Sequence, residues 1–405
     1  MKIHGGALIG LSFVAGCCIL PEEGARTSFA EKEFAPYLAS GEIPGVINVF
    51  QDGDRQEISC LGYADVDAGR KITLDDPFMQ CSQTKGFCGV TMAILVEEER
   101  VNLDDPVSKY LPEFETLWVR QAESNGVLRL TRACNVLTVR MCLNHTGGFQ
   151  FELPNFKAMG GWSRRMPLRS AAATAAAFPL DFEPGTGNQY SNVGIDVAAA
   201  IVEQVSGQRW EDFLHDRVLL PLGMTSSGFR PTEDQLLRKI ELYRVKPGEK
   251  AKRVTEFEAM QRPYGDDRVF PSAAAGLWTT TRDQLKFYRM LMNLGRGDNG
   301  VRILREQTVR DVLMRAPELK GKESPNYSLG LIAPKVDGEN QWVGHGGAWG
   351  SQCMVNWHKK QLQMIVLQIG GDTVKFRKVS NRAADGFFKV KLDHSDADAY
   401  TGRMK

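Results

Sequence analysis

A serine and a lysine three residues apart, Ser82 and Lys85, open a proline-free apolar segment that runs from 81 to about 99 through Phe87, Cys88, Val90, Met92, Leu95 and Val96. That pattern predicts a buried helix, closed by the charged run Glu97-Glu98-Glu99-Arg100. Residues three apart on a helix share a face, so the ammonium can approach the hydroxyl. A fold that buries this helix carries the pair with it, and a lysine in a dry cleft loses pKa and can act as a base. The helix N-terminus places its positive end beside the serine, which favours an alkoxide or a developing oxyanion. Ser82-Gln83-Thr84-Lys85 is the only S-x-x-K in the chain. Composition alone would supply roughly one such pair in this length, so its weight comes from its place at a helix start.

Two further motifs stand at element boundaries. Tyr190-Ser191-Asn192, the only Tyr-x-Asn, follows the turn-rich Glu183-Pro184-Gly185-Thr186-Gly187 and starts a helical pattern that Ser206-Gly207 closes. A phenol near a lysine can relay a proton, and an asparagine can hold a substrate carbonyl. In isolation, a tyrosine filling the core and an asparagine capping a helix explain the same residues. His345-Gly346-Gly347 comes just after a strand-like stretch and precedes Ala348-Trp349-Gly350. Two glycines let backbone approach a ligand closely, and an edge-strand N–H can supply half of an oxyanion hole. His-Gly-Gly also occurs at His4-Gly5-Gly6, so the tripeptide alone has low specificity.

Composition narrows the classes. The 405 residues carry 50 Lys+Arg against 49 Asp+Glu, a net charge of +1, which leaves no single-sign field of the kind a nucleic-acid binder uses. A hydrophobic fraction of 42% with 24% charged residues places the chain among globular domains. No G-x-S-x-G, H-E-x-x-H or Walker loop occurs. The one G-x-G-x-x-G, from Gly295 to Gly300, follows a predicted helix instead of a strand and reads as a glycine-rich turn. The eight cysteines contain no C-x-x-C, and Cys142 with His145 is the only Cys/His pair at metal spacing. Neither a zinc site nor a disulfide framework is expected.

Residues 1–18 begin Met-Lys, continue through small and apolar residues, and end in Cys17-Cys18. This matches an export signal, too short to span a bilayer. Val14-Ala15-Gly16-Cys17 resembles the end of a bacterial lipoprotein signal, in which Cys17 becomes the lipidated first residue. The expectation is an exported protein, periplasmic or in the cell envelope, with a membrane tether through Cys17. An ordinary buried first helix is the other reading.

Strand patterns at 47–50 and 58–63 precede a long helical middle. Strand patterns then return at 341–343, 352–357 and 364–368, before an amphipathic stretch over about 376–388. That order predicts an α+β fold with both strand regions in one sheet. Thr281-Arg282-Asp283-Gln284 reads as a capping-box start, and 238–253 as a solvated charged excursion.

In this order the three motifs resemble the serine β-lactamase and penicillin-binding-protein superfamily, especially its class C-like branch of β-lactamases, esterases and D-amino-acid peptidases. The resemblance covers about 34 to 388. Leu103-Asp104-Asp105-Pro106-Val107-Ser108-Lys109-Tyr110-Leu111-Pro112, Asn144-His145-Thr146-Gly147-Gly148 and Pro221-Leu222-Gly223-Met224 strengthen it. It implies an antiparallel β-sheet flanked by helices with an inserted all-helical lobe. The domain would span 30–390, with a sheet lobe over about 30–80 and 270–390 and a helical lobe over about 81–269. It also implies Ser82 as nucleophile, Lys85 as activating base, Tyr190 as proton relay and Asn192 as a substrate contact. His345 and Gly347 would flank the substrate, the N–H groups of Ser82 and Ala348 would form the oxyanion hole, and no metal or cofactor would take part.

The departures carry information. Many β-lactamases of this superfamily have Lys-Thr/Ser-Gly at the third motif, where cation and hydroxyl hold a carboxylate. His345 at its ordinary pKa is mostly neutral near pH 7, and Gly346 has no hydroxyl. The expectation shifts to an acyl hydrolase of small esters or amides. A β-lactamase or DD-carboxypeptidase, and a non-catalytic surface binding scaffold, are the alternatives. Cys81 is expected to pack, His145 to make a structural hydrogen bond and His215 to lie at the surface. Phe149 and Trp349 either line the acyl pocket or pack in the core.

Overall fold

The computed structural model describes residues 27–154, 166–255, 270–316, 326–333 and 341–389. The predicted export signal and Cys17 lie outside them. In chain order the strands are β1 (Gly45–Asp52), β2 (Arg55–Asp65), β3 (Arg70–Lys71), β4 (Phe78–Met79), β5 (Trp118–Ser124), β6 (Val127–Arg132), β7 (Tyr243–Val245), β8 (Lys252–Arg253), β9 (Trp278–Thr279), β10 (Val343–Gly346), β11 (Gly350–Asn356) and β12 (Gln361–Gly371). The longer helices are α1 (Phe29–Ala39), α2 (Thr84–Glu97), α3 (Leu168–Ala176), α4 (Asn192–Ser206), α5 (Thr281–Met292) and α6 (Thr373–Phe388).

The main sheet runs β10-β11-β12-β1-β2-β3, and neighbouring strands on this path are antiparallel. β12 lies beside β1 with Ile47 opposite Val366 and Val49 opposite Met364, so the two distant strand regions join in one sheet as the α+β reading requires. Helices cover both faces of β1, β11 and β12, which is why these central strands are buried almost throughout. The two-residue period sorts their side chains. Val46, Phe50, Ile365, Leu367 and Ile369 pack with Phe34 of α1 and with Phe376 and Phe387 of α6. Ile47, Val49, Met364 and Val366 join the larger cluster that holds Phe87 of α2 and Phe287 of α5. Those two rings stack with centroids 3.6 Å apart. Asn48 points to the α6 side, where its Oδ1 accepts from Ser380 Oγ at 2.7 Å, so its burial leaves that oxygen satisfied.

Four local readings change. The middle of the chain is not wholly helical, because β5 and β6 form a hairpin there. Residues 238–253 are not only a solvated excursion: buried Tyr243 and Val245 flank exposed Arg244, and β7 pairs parallel with the end of β12, Ile369 opposite Tyr243. A three-residue alternation is too short to stand out among charged neighbours. The cap of α5 is Thr280, one residue earlier than the sequence suggests. Its backbone is extended and its side chain accepts from Asp283 N–H, the conformation that an N-cap needs. His345 and Gly346 lie within β10 instead of after a strand. Gly295 and Gly300 have φ of 89° and 83°, as a glycine-rich turn requires.

Candidate active site

Ser82 lies in the single 3-10 turn Cys81–Gln83 that leads into α2. Its N–H therefore belongs to the group at a helix start that has no intrahelical acceptor. The preceding residue, Cys81, has φ +52°, a left-handed backbone that residues with a Cβ seldom adopt. The chain holds it there: Thr84 Oγ1 donates to Cys81 O at 2.7 Å, and the tip of the third motif presses on the same turn. A Cβ on Gly347 would come within 2.5 Å of Gln80 O, so glycine at 347 is what lets the end of β10 reach the nucleophile turn. The N–H groups of Trp349 and Ala348 face the Cys81 thiol.

Lys85 is 0% exposed. Its Nζ lies 3.1 Å from Ser82 Oγ and donates to Asn192 Oδ1 at 2.7 Å and to Ala274 O at 2.8 Å. A neutral amine has two N–H bonds and one lone pair. The two acceptors take the two N–H bonds, and the lone pair is left for the serine proton. Burial pulls the Lys85 pKa down to about 7, against the opposing charges of Asp196 and Glu152. Since the base form is the unprotonated amine, the reactivity of Ser82 is expected to rise with pH through about 7. The rate of fluorophosphonate labelling between about pH 5 and 9 measures this, and a flat profile would remove Lys85 from the role of base.

Asn192 is the first residue of α4, and Ser191 caps the helix by accepting from Gly194 N–H. The Asn192 carboxamide is oriented at both ends, since its Nδ2 donates to Glu152 Oε1 at 2.7 Å. Tyr190 presents its ring to the lysine, with Lys85 Nζ 4.6 Å from the centroid. The ring also packs against His145 at 4.5 Å, Tyr327 at 5.9 Å and His345 at 6.3 Å. His145 Nδ1 accepts from Ser191 N–H at 3.2 Å, so this histidine pins the second motif. Burial and the Lys85 charge hold its imidazole neutral.

His345 is buried, and burial with the nearby Lys85 charge takes its pKa down to about 3. Its Nδ1 is 2.6 Å from Gly346 O, and because a carbonyl can only accept, the neutral ring carries its proton on Nδ1. The third motif therefore presents no cation from its histidine. Cys81 is buried and its thiol is pushed up to about 12, so it is a packing neighbour and not a thiolate. Phe149 is core, edge-on to Phe114. Trp349 is half-buried and lies over Gly370, where a Cβ would sit 3.2 Å from its ring. His215 is exposed beside Asp216. Each described cysteine is free.

The structure thus brings Ser82, Lys85 and Asn192 into direct contact, places Tyr190 and His345 around them, and seats Gly347 against the Ser82 turn. Sequence reasoning missed Ala274, Glu152 and Asp196. Ala274 contributes only a carbonyl, which no side-chain pattern reveals. Asp196 had a signal, because it is the only acidic residue in the buried run of α4 from Asn192 to Val202 and stands one turn beyond Asn192, on the same face.

The chain is similar in sequence and in fold to several known proteins. The protein Rv1367c of Mycobacterium tuberculosis is 30% identical over 315 residues, 76% of this chain and 74% of that protein. Among solved structures, simvastatin synthase (LovD) from Aspergillus terreus superposes with a TM-score of 0.71 at 20% identity, covering 89% of this chain and 98% of that one. EstCE1, described as a hydrolase with promiscuous acyltransferase activity, superposes with a TM-score of 0.68 at 19% identity, covering 88% and 97%. At such identities the structural likeness speaks for the fold. The profile of the Beta-lactamase family matches residues 30–385, nearly the whole described chain, and the protein belongs to that family.

Proposed function

We propose that the protein is a serine hydrolase that acts on small esters or amides through an acyl-enzyme on Ser82. The observation that carries this reading is the buried Lys85 amine, with both N–H bonds matched to acceptors and its lone pair left for a hydroxyl 3.1 Å away. In acylation, Ser82 Oγ attacks the substrate carbonyl while its proton passes to Lys85 Nζ. The negative charge that develops on the carbonyl oxygen meets the N–H of Ser82, and the Ala348 N–H joins it by turning from the Cys81 thiol that it faces without substrate. The proton then leaves with the alcohol or amine as the C–O or C–N bond breaks, with Tyr190 beside Lys85 as the relay. Water repeats the sequence on the acyl-enzyme and releases the acid.

Ester or simple amide is favoured over β-lactam because His345 is neutral and Gly346 lacks a hydroxyl, so the motif's own side chains offer a substrate carboxylate neither the charge nor the hydroxyl of Lys-Thr/Ser-Gly, and the Arg377 guanidinium beside them donates to the Gly347 and Gly350 carbonyls. The test is a panel of p-nitrophenyl esters, D-amino-acid amides and a chromogenic cephalosporin. Ester turnover well above cephalosporin turnover is expected. The reverse order would install the β-lactamase reading, and no turnover together with no covalent adduct on Ser82 would leave a binding scaffold.

A further inference from the structure

Asp196 stands one turn along α4 from Asn192 and is only 7% exposed. Its Oδ1 accepts from Ser272 Oγ at 3.2 Å and from Ala274 N–H at 3.3 Å. Ser272 Oγ also lies 3.3 Å from Ala274 N, which closes a small ring of hydrogen bonds around this turn. The other end of Ala274, its carbonyl, takes the Lys85 N–H at 2.8 Å. The carboxylate therefore fixes the residue that in turn fixes the lysine. Beside it, Leu153, Ala171, Ala172, Val193 and Val197 line a cavity. In such low-dielectric surroundings a fixed charge acts strongly on its neighbours.

We propose that Asp196 is a positioning residue for the Ser82–Lys85 pair: it holds the Ser272–Ala274 turn so that the Ala274 carbonyl aligns the lysine, and its negative charge stabilises the ammonium that forms as Ser82 gives up its proton. The inference rests on the serine hydrolase reading above. Among the described residues, the other groups that face Lys85 are Cys81 before α2 and Cys88 within it, Glu152 through Asn192, and the Tyr190, His145 and His345 rings. Both histidines are held neutral and both thiols are raised by burial, so Asp196 and Glu152 are the carboxylates that oppose the burial of the lysine.

Asp196→Asn keeps an acceptor for Ser272 and Ala274 and removes the charge, whereas Ser272→Ala keeps the charge and loosens the turn. Fluorophosphonate labelling rates are measured from about pH 5 to 9 on the full chain, with Ser82→Ala as the blank. Asp196→Asn is expected to move the acidic limb down by about one unit, because loss of the carboxylate disfavours protonated Lys85. Its plateau rate should fall about tenfold, because the weaker base takes the proton less readily. Ser272→Ala should slow labelling severalfold with the limb in place. An Asp196→Asn protein that keeps the wild-type limb, even with less labelled protein, overturns the inference, since a purely structural role changes the amount of active protein and not its pH profile. Should Asp196→Asn fail to give a cooperative thermal transition, Ser272→Ala decides, and a wild-type rate there overturns the positioning role. A wild type that does not label at Ser82 overturns the hydrolase reading and this inference with it. A wild type that labels beside an unmoved Asp196→Asn limb overturns this inference alone.

Discussion

Ser82→Ala is expected to abolish covalent labelling and to lower ester turnover by roughly 10⁴-fold or more, the scale seen when a nucleophile that acts as a unit with its base is removed. The substitution deletes one oxygen. Lys85 keeps Asn192 Oδ1 and Ala274 O as acceptors, so the buried amine is not stranded and the fold should be retained. That makes Ser82→Ala a cleaner test than Lys85→Ala. Removal of the lysine would cost about 10²- to 10⁴-fold as the loss of a general base, but it would also leave Asn192, Ala274 and Asp196 around an empty, desolvated site. Unfolding would then be hard to separate from lost chemistry. The measurement is intact-protein mass after fluorophosphonate treatment, paired with p-nitrophenyl ester turnover. An Ser82→Ala protein that still carries the adduct, or retains about a tenth of the activity, would sink the acyl-enzyme reading.

Gly89→Ala is expected to be the most damaging small substitution in the scaffold. Gly89 lies in the middle of α2, where alanine would ordinarily stabilise by about 1 kcal/mol. Here an added Cβ would stand 1.8 Å from Leu329 O and 2.8 Å from Leu329 C. These are backbone atoms and cannot rotate away. The next residue on that segment is as tight, since a Cβ on Gly330 would meet Lys85 O at 2.3 Å. The strip that ends at Ile332, which itself bonds to Gly344 of β10, thus lies directly on the helix that carries Lys85. Opening that contact should cost about 3–5 kcal/mol, at the high end for overpacking. It should also lower activity, because the strip lies against the lysine's own turn of helix. Gly228→Ala is the control: nothing lies within 4 Å of a Cβ there and its φ is not in the left-handed region, so stability should change by no more than about 0.5 kcal/mol. Urea titration with a shared slope reads both. A Gly89→Ala midpoint equal to wild type would show that the helix and the strip can part at little cost.

Much of the scaffold was legible. The helix that begins at the S-x-x-K motif, the helix that follows Tyr-x-Asn with its closing Gly207 at φ 75°, and the last two strands, β11 and β12, lie where the apolar periods put them, whereas β10 at 343–346 starts where its expected strand ended. Local signals fail where the deciding partner is far away. Tyr243 and Val245 become a strand only because β12 ends beside them, and β5 and β6 form a largely exposed hairpin inside a segment whose other elements are helical. The candidate site divides in the same way. Ser82, Lys85, Tyr190, Asn192, His345 and Gly347 could be named because each stands in a recognisable short pattern at the start or end of an element. Ala274 has no pattern to recognise, and Asp196 was concealed by a helix otherwise read for its apolar face.

The sequence by itself determined which residue types can do chemistry and which element carries each one, because helical and strand periods and the three-residue spacing of Ser82 and Lys85 are properties of a local stretch of chain. Only the tertiary structure decided the state of the lysine. Its two acceptors come from Asn192 and Ala274, 107 and 189 residues away, and its pKa near 7 is the outcome of burial opposed by two carboxylates from other parts of the chain. Burial and long-range charge depend on which surfaces meet, and no local pattern encodes that.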